Sequence, residues 1–301
     1  MRKSPSLLRT CLLALGLCVL AFPAPGAAAD QEDVYPGILN APASISIGGG
    51  GTLPAGHAVT ALNSSYRHKD EGMLGSDQKN NRNIDNTTLI NLLKLRYAVT
   101  DRFEVQAVVP YTVYQPTTGR DLDSWGDITP AVMYGFLQEK LGEPFSLAGS
   151  LKLAMPTASV GPRDLPGGNA WAGTAALGFT KTFGMFQINH DLYYTAPFEE
   201  GNQHVRKGNS YGLTYRYAYA LNKGLALALE GTIDHSERGK RLGLEVKNES
   251  TEWYTGPAVT WNVPGTTIDL CLGAYLPVYR DYGQNTSSEG VRVDGKFFIF
   301  W

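Results

Sequence analysis

The sequence predicts an all-β fold: a transmembrane, antiparallel, up-and-down β-barrel of about 12 strands. Three observations predict it. From residue 57 onward, segments of roughly 9–13 residues alternate apolar and polar side chains with period two. The connections between these segments alternate strictly between long and short. The last segment places Val291, Val293, Phe297, Ile299 and Trp301 on one face and Arg292, Asp294 and Lys296 on the other. Such a stripe, with an aromatic residue at the interface, is the mark of an outer-membrane strand.

Residues 1–29 read as a secretory signal. Arg2, Lys3 and Arg9 form a basic region, Leu12–Phe22 is a short apolar run, and Ala27, Ala28 and Ala29 supply a cleavage site. The apolar run falls short of the roughly 20 residues that a spanning helix requires. Cys11 and Cys18 leave with the signal, so the mature chain keeps Cys271 alone and forms no internal disulfide. Losing three basic residues takes the 26 Lys and Arg to 23 against 28 acidic residues, a net charge near −5. That balance gives no reason to expect nucleic acid as a partner. Residues 30–56 carry Pro36, Gly37, Pro42 and the run Gly48–Gly51, and read as a flexible periplasmic lead-in or a short plug. Within them, 44–50 could add a short extra strand.

The predicted strands are 57–68, 87–98, 102–113, 127–137, 145–155, 170–181, 185–195, 210–220, 224–235, 249–261, 267–278 and 290–301. A strand of about ten residues, rising about 3.3 Å per residue and tilted about 40°, covers about 25 Å, the height of the apolar band of such barrels. The connections at 69–86, 114–126, 156–169, 196–209, 236–248 and 279–289 are long. Those at 99–101, 138–144, 182–184, 221–223 and 262–266 are short and hold turn pairs such as Thr100-Asp101, Asn222-Lys223 and Pro264-Gly265. Long loops at one rim and tight turns at the other are the outer-membrane pattern. The first strand has the thinnest apolar face, with Val59, Ala61, Asn63 and Ser65.

Facing follows from solvent. Phe103, Val105, Ala107, Val109 and Tyr111 oppose Glu104 and Gln106. Phe186, Ile188, Leu192 and Tyr194 oppose Gln187, Asn189 and Asp191, and Leu225, Leu227 and Leu229 oppose Glu230. A cation facing lipid at the midplane would cost about 2–4 kcal/mol, so the polar faces turn inward. Twelve ionisable residues are thereby expected to line the lumen: Lys94, Arg96, Lys152, Arg216, Arg292 and Lys296, with Glu104, Asp191, Glu230, Glu252, Asp269 and Asp294. Equal numbers of each sign predict cross-strand ion pairs bracing the wall, not a pore of one sign. Aromatics near strand ends, among them Tyr111, Tyr114, Trp171, Trp253, Trp261, Phe300 and Trp301, fit interfacial girdles. Inward-facing Tyr193, Tyr254, Tyr275 and Phe298 are candidates for an aromatic track. His190 falls on an apolar face, which places it near an interface or at a bulge.

No constellation supports catalysis, a cofactor or a metal centre. Gly208-Asn209-Ser210-Tyr211-Gly212 matches G-x-S-x-G, but a strand, not a helix, follows it. Asp121-Leu122-Asp123-Ser124-Trp125-Gly126-Asp127 starts like a calcium loop, yet Trp125 occupies a ligand position and Val132 stands where a bidentate Glu belongs. The histidines show no i, i+4 pairing, although His204 and His235 could meet at the outer rim.

Three segments carry a family resemblance. They are Tyr97-Ala98-Val99-Thr100-Asp101-Arg102-Phe103-Glu104-Val105 continuing to Val109-Pro110-Tyr111, then Trp125-Gly126-Asp127-Ile128 leading to Met133-Tyr134-Gly135-Phe136, and Ser150-Leu151-Lys152-Leu153-Ala154-Met155-Pro156-Thr157 followed by Gly168-Asn169. In them the chain resembles the outer-membrane transporter family associated with the MetA pathway of phenol degradation. The resemblance covers residues 57–301 in style, with its sharp motifs within 97–182. It implies a barrel for uptake of aromatic or other hydrophobic compounds and supplies no catalytic or binding residues. The resulting expectation is a non-enzymatic outer-membrane channel passing small, aromatic or hydrophobic solutes by diffusion. Its expected partners are outer-membrane lipid, the solute, and the barrel-assembly machinery, which would engage the last strand ending at Trp301. A structural or adhesive barrel acting through its outer loops is the alternative, and a lipid-modifying enzyme the more distant one.

Overall fold

The computed structural model describes residues 49–73, 79–117, 119, 121–159, 168–283 and 286–301. The predicted signal and residues 30–48 of the lead-in lie outside them. Twelve long strands form the wall: β1 (Ala58–Met73), β2 (Lys79–Ala98), β3 (Phe103–Gln115), β4 (Thr129–Leu137), β5 (Ser146–Ala154), β6 (Ala172–Phe183), β7 (Phe186–Pro197), β8 (Ser210–Asn222), β9 (Leu225–Ser236), β10 (Ser250–Asn262), β11 (Ile268–Tyr282) and β12 (Thr286–Phe300). Each pairs antiparallel with its neighbours in sequence, and β1 pairs with β12, Val59 opposite Phe300 and Asn63 opposite Lys296. The sheet is therefore closed. Closure leaves no edge whose N–H and C=O groups would face hydrocarbon without a partner, the condition a strand must meet to span a membrane.

The wall reads as the alternation predicts. Met133 is buried while its neighbours Val132 and Tyr134 are 41 % and 49 % exposed, so one face turns to the lumen and the other to lipid. The two-residue link Gly184-Met185 joins β6 to β7, with Gly184 at φ +58°, where a glycine carries no steric penalty. The other tight connections lie at the same rim, as do the start of β1 and the end of β12. In an outer-membrane barrel this is the periplasmic rim.

Two predicted long loops, 69–86 and 279–289, are instead mostly strand. The β1–β2 ladder continues to Met73 opposite Lys79, while β11 runs on to Tyr282 and β12 already begins at Thr286. Beyond the lipid both faces of a strand meet water, so the apolar period disappears while the backbone ladder goes on. Irregular register between Lys69 and Glu71 and between Trp253 and Tyr254 marks this outer zone. Above the rim, Val205–Arg206, Gly239–Arg241 and Leu244–Val246 make a separate three-stranded sheet.

At the periplasmic rim Arg102 ties two turns together, its own and the one between β4 and β5. Its guanidinium donates to the Phe136 carbonyl at 2.8 Å and to Glu143 Oε1 at 2.9 Å. The hydrogen bond from Arg102, and then the one from the Gln138 amide, hold the Glu143 carboxyl below its ordinary 4.5. A carboxyl lowered by folding stabilises the fold above its unfolded value and loses that contribution as pH falls through the lowered one. Protection of the Gln138 amide, its exchange rate taken relative to the intrinsic rate at each pH, should thus fall on acidification below 4.5, and in Glu143→Gln it should be low already at neutral pH; protection independent of pH in the parent would refute the link.

Candidate functional site

The lumen is built in three levels, beginning at the periplasmic floor. Residues 49–53 of the lead-in cross the barrel from one wall to the opposite one. At the β6–β7 side the Gly49 amide donates to Asp191 Oδ2 at 3.3 Å and the Gly50 amide to Thr180 Oγ1 at 2.9 Å. Midway, Gln138 accepts from the Thr52 amide at 2.9 Å and donates to the Gly50 carbonyl at 2.9 Å, while Arg96 donates to the Gly51 carbonyl at 3.3 Å. The Leu53 amide donates to Glu104, and Lys140 Nζ to the Leu53 carbonyl. On the far side Leu53 packs against Val59, Ala61, Ala98, Cys271, Phe298 and Phe300. The glycines allow close approach: a Cβ on Gly50 would run into the Ser146 carbonyl, and one on Gly178 into that of Gly49. The described end of the lead-in, 49–56, is thus held by the wall, and Gly49 and Gly50 form a turn, while the rest of 44–50, where the sequence allows an extra strand, lies outside the described residues.

The middle level is ionic. Arg96 forks onto Glu104, Nε to Oε2 and Nη2 to Oε1, both at 2.9 Å. Glu230 is the hub of a second group: Arg216 Nε lies 3.1 Å from Oε1, Lys296 Nζ 3.3 Å from Oε2, and the Tyr275 hydroxyl donates to Oε2 at 2.6 Å. Since β9 and β12 are not neighbours, the Lys296 link spans part of the lumen. Arg216 also donates to Thr260 Oγ1 at 2.8 Å, and Arg292 Nε meets Asp294 Oδ1 at 3.2 Å. Asp269 accepts from Asn262 at 2.8 Å. Lys94 interacts electrostatically with Lys152, Arg96, Glu104 and Asp191.

All twelve predicted ionisable residues are placed on the inward parity of their strands, and ten are buried, with Lys152 and Glu252 half-buried. Their burial comes from packing against one another and the floor. The aromatic candidates do not converge on one another: Phe298 belongs to the floor, Tyr275 to the Glu230 group, and Tyr193 and Tyr254 to the mouth. Phe300, placed by the sequence in the girdle, also points into the floor.

At the mouth, Tyr254 donates to the Glu289 carbonyl at 3.0 Å and Tyr282 donates to Glu252; Arg67 stands 3.6 Å from Glu289 Oε2. Tyr193 donates to Asp234. Glu289, Asp234 and Arg67 escaped the sequence reading, Glu289 because it fell in a predicted loop. Asp234 shares the inward parity of Glu230, a signal already present in the sequence. Arg67 shares that of Ser65, whose face, with Val59, Ala61 and Asn63, the sequence reads as the thin apolar face of the first strand. That face is instead buried on the lumen side, because its small side chains pack against the floor. Outer loops interlock above: Asp127 accepts from the amides of Thr157, Ala158 and Ala170 at 3.0, 2.9 and 3.3 Å, and Asn202 donates to the Ser159 carbonyl at 3.0 Å. Asp123 and Asp121 are engaged by Tyr111 and Gln115, so the calcium-like loop spends its carboxylates on different local partners. No cluster of metal-ligating side chains occurs among the described residues.

Two histidines lie on the lipid-facing wall. His190 sits without a bulge, its Nε2 3.1 Å from the Tyr217 hydroxyl. His235 Nδ1 lies 2.8 Å from Thr251 Oγ1, so its partner is a strand threonine and not His204. Ser210 lies at the start of β8, opposite Thr195 and Ser236.

The family described as Putative MetA-pathway of phenol degradation matches residues 47–288. Among solved structures, the COG4313 outer membrane channel from Pseudomonas putida F1 is similar at 15 % identity and a TM-score of 0.73, over 86 % of this chain and 100 % of that one. The translocator domain of the autotransporter NalP from Neisseria meningitidis is similar at 9 % identity and a TM-score of 0.48, over 82 % and 88 %. These likenesses concern the fold. No curated protein matches the chain.

Proposed function

The chain belongs to the MetA-pathway-of-phenol-degradation family, and from that membership we propose that this outer-membrane barrel is a channel for small hydrophobic or aromatic solutes. One observation carries the reading. The inward charges are spent on each other, in Arg96–Glu104, Arg216–Glu230–Lys296 and Arg292–Asp294, and are packed out of water. Ion and sugar pores instead present wetted rings of charge or a wide aqueous lumen. Residues 49–53 serve as a short plug, lying across the floor with Leu53 among Phe298 and Phe300. Solutes move down their concentration gradient, and the protein performs no chemistry on them.

The test compares bacteria with and without the chain for initial uptake of a radiolabelled monoaromatic compound, alongside swelling of chain-bearing liposomes in arabinose. Several-fold faster aromatic uptake with slow arabinose entry is expected. Rapid sugar entry together with unchanged aromatic uptake would overturn the reading.

A further inference from the structure

The outer wall between β6 and β9 carries a hollow that the lumen does not explain. Cross-strand pairing sets Leu177, Leu192, Leu213 and Ile233 side by side in one row facing lipid. Toward the mouth, the next row ends in Tyr211 and His235, whose rings stack with centroids 4.9 Å apart. Together the rows line a shallow hollow of about 640 Å³, open along most of its face toward the lipid, a form that suits a chain laid along the wall and not an enclosed ligand.

Missing bulk creates it. Ala175 occupies the outer row opposite Tyr194, where its single methyl leaves the space a larger side chain would fill.

The chemistry of the lining selects the occupant. Aliphatic side chains make the floor, and hydrocarbon is the medium on this face. The polar handle is His235: with Nδ1 shared with Thr251, Nε2 is the nitrogen turned to a ligand. Among the described residues no Lys or Arg lines the hollow, so a phosphorylated headgroup would find no counter-charge there. We propose that the hollow docks a neutral amphiphile of the outer leaflet, its single alkyl chain along the leucine row and its hydroxyl or carbonyl head at His235. The site is independent of which solute crosses the lumen, so its failure and the failure of the channel reading are separate results.

The purified chain, reconstituted in phosphatidylcholine vesicles, would be irradiated with a diazirine-bearing long-chain alcohol and the adducts mapped by mass spectrometry. Adducts on Leu192 and Leu213 should exceed several-fold those on Leu272 and Leu276, which are 56 % and 61 % exposed on β11, away from the hollow. Unlabelled alcohol should compete, and the alkyl phosphate of equal chain length should compete poorly. Leu213→Trp, filling the hollow in a barrel shown to be folded by its heat-dependent gel mobility, should erase the excess, and His235→Ala should weaken the competition by alcohol. Even labelling around the barrel, an unaffected Leu213→Trp, or equal competition by the phosphate would each overturn the proposal.

Discussion

Replacing Glu230 by alanine is expected to destabilise the barrel by about 3–5 kcal/mol, the cost of removing one partner from a buried ion pair. The magnitude follows from what remains. Arg216 and Lys296 are 1 % and 5 % exposed, and both lose their nearest carboxylate. Arg216 keeps Thr260, and Lys296 keeps the more distant field of Asp294. By contrast, breaking the exposed Arg238–Glu249 pair at the outer loop should leave stability nearly unchanged, because water already screens it. Urea titration of the two variants in lipid vesicles measures the contrast. A double variant, Glu230→Ala with Arg216→Ala, should recover part of the loss, because it removes one of the stranded cations. Equal, small changes in both single variants would mean that water reaches the Glu230 group and that the lumen is wetter than its packing implies.

The legibility of this fold follows its solvent. Hydrocarbon imposes period two on every residue it touches, so twelve strands and the inward set from Lys94 to Lys296 could be read from parity alone. Above the lipid that constraint ends, and the outer parts of β1, β2, β11 and β12 look like loops in sequence although their ladders continue. Glu230 was legible as inward but not as a hub, since Lys296 reaches it from a strand that is not its neighbour. The run at Gly48–Gly51 shows the deeper ambiguity. Glycine serves equally a flexible linker and a backbone pressed against a wall, and what separates the two here is Thr180 and Asp191, more than a hundred residues away. The pairing of His235 with Thr251 likewise depends on register between strands and not on spacing within one.

Deleting residues 49–53 is expected to raise single-channel conductance several-fold while leaving the barrel folded. The wall carries its own closure: β1 pairs with β12 above the lead-in, and none of the twelve strands draws a ladder partner from 49–53. What the deletion removes is a bar held mainly by side chains, Gln138, Thr180, Glu104 and Asp191, that can exchange their lost backbone partners for entering water. Leu53 leaves with it, exposing Phe298 and Phe300 to the lumen. Gly50→Val gives an independent route to the same state, because its side chain would strike the Ser146 carbonyl and force the bar off the wall without shortening the chain. Both variants should therefore conduct more than the parent in planar bilayers, and the deletion more than the substitution. If both fold, judged by heat-dependent gel mobility, yet conduct like the parent, the restriction lies at the Glu230 level and the crossing segment is a brace for the wall and not a stopper.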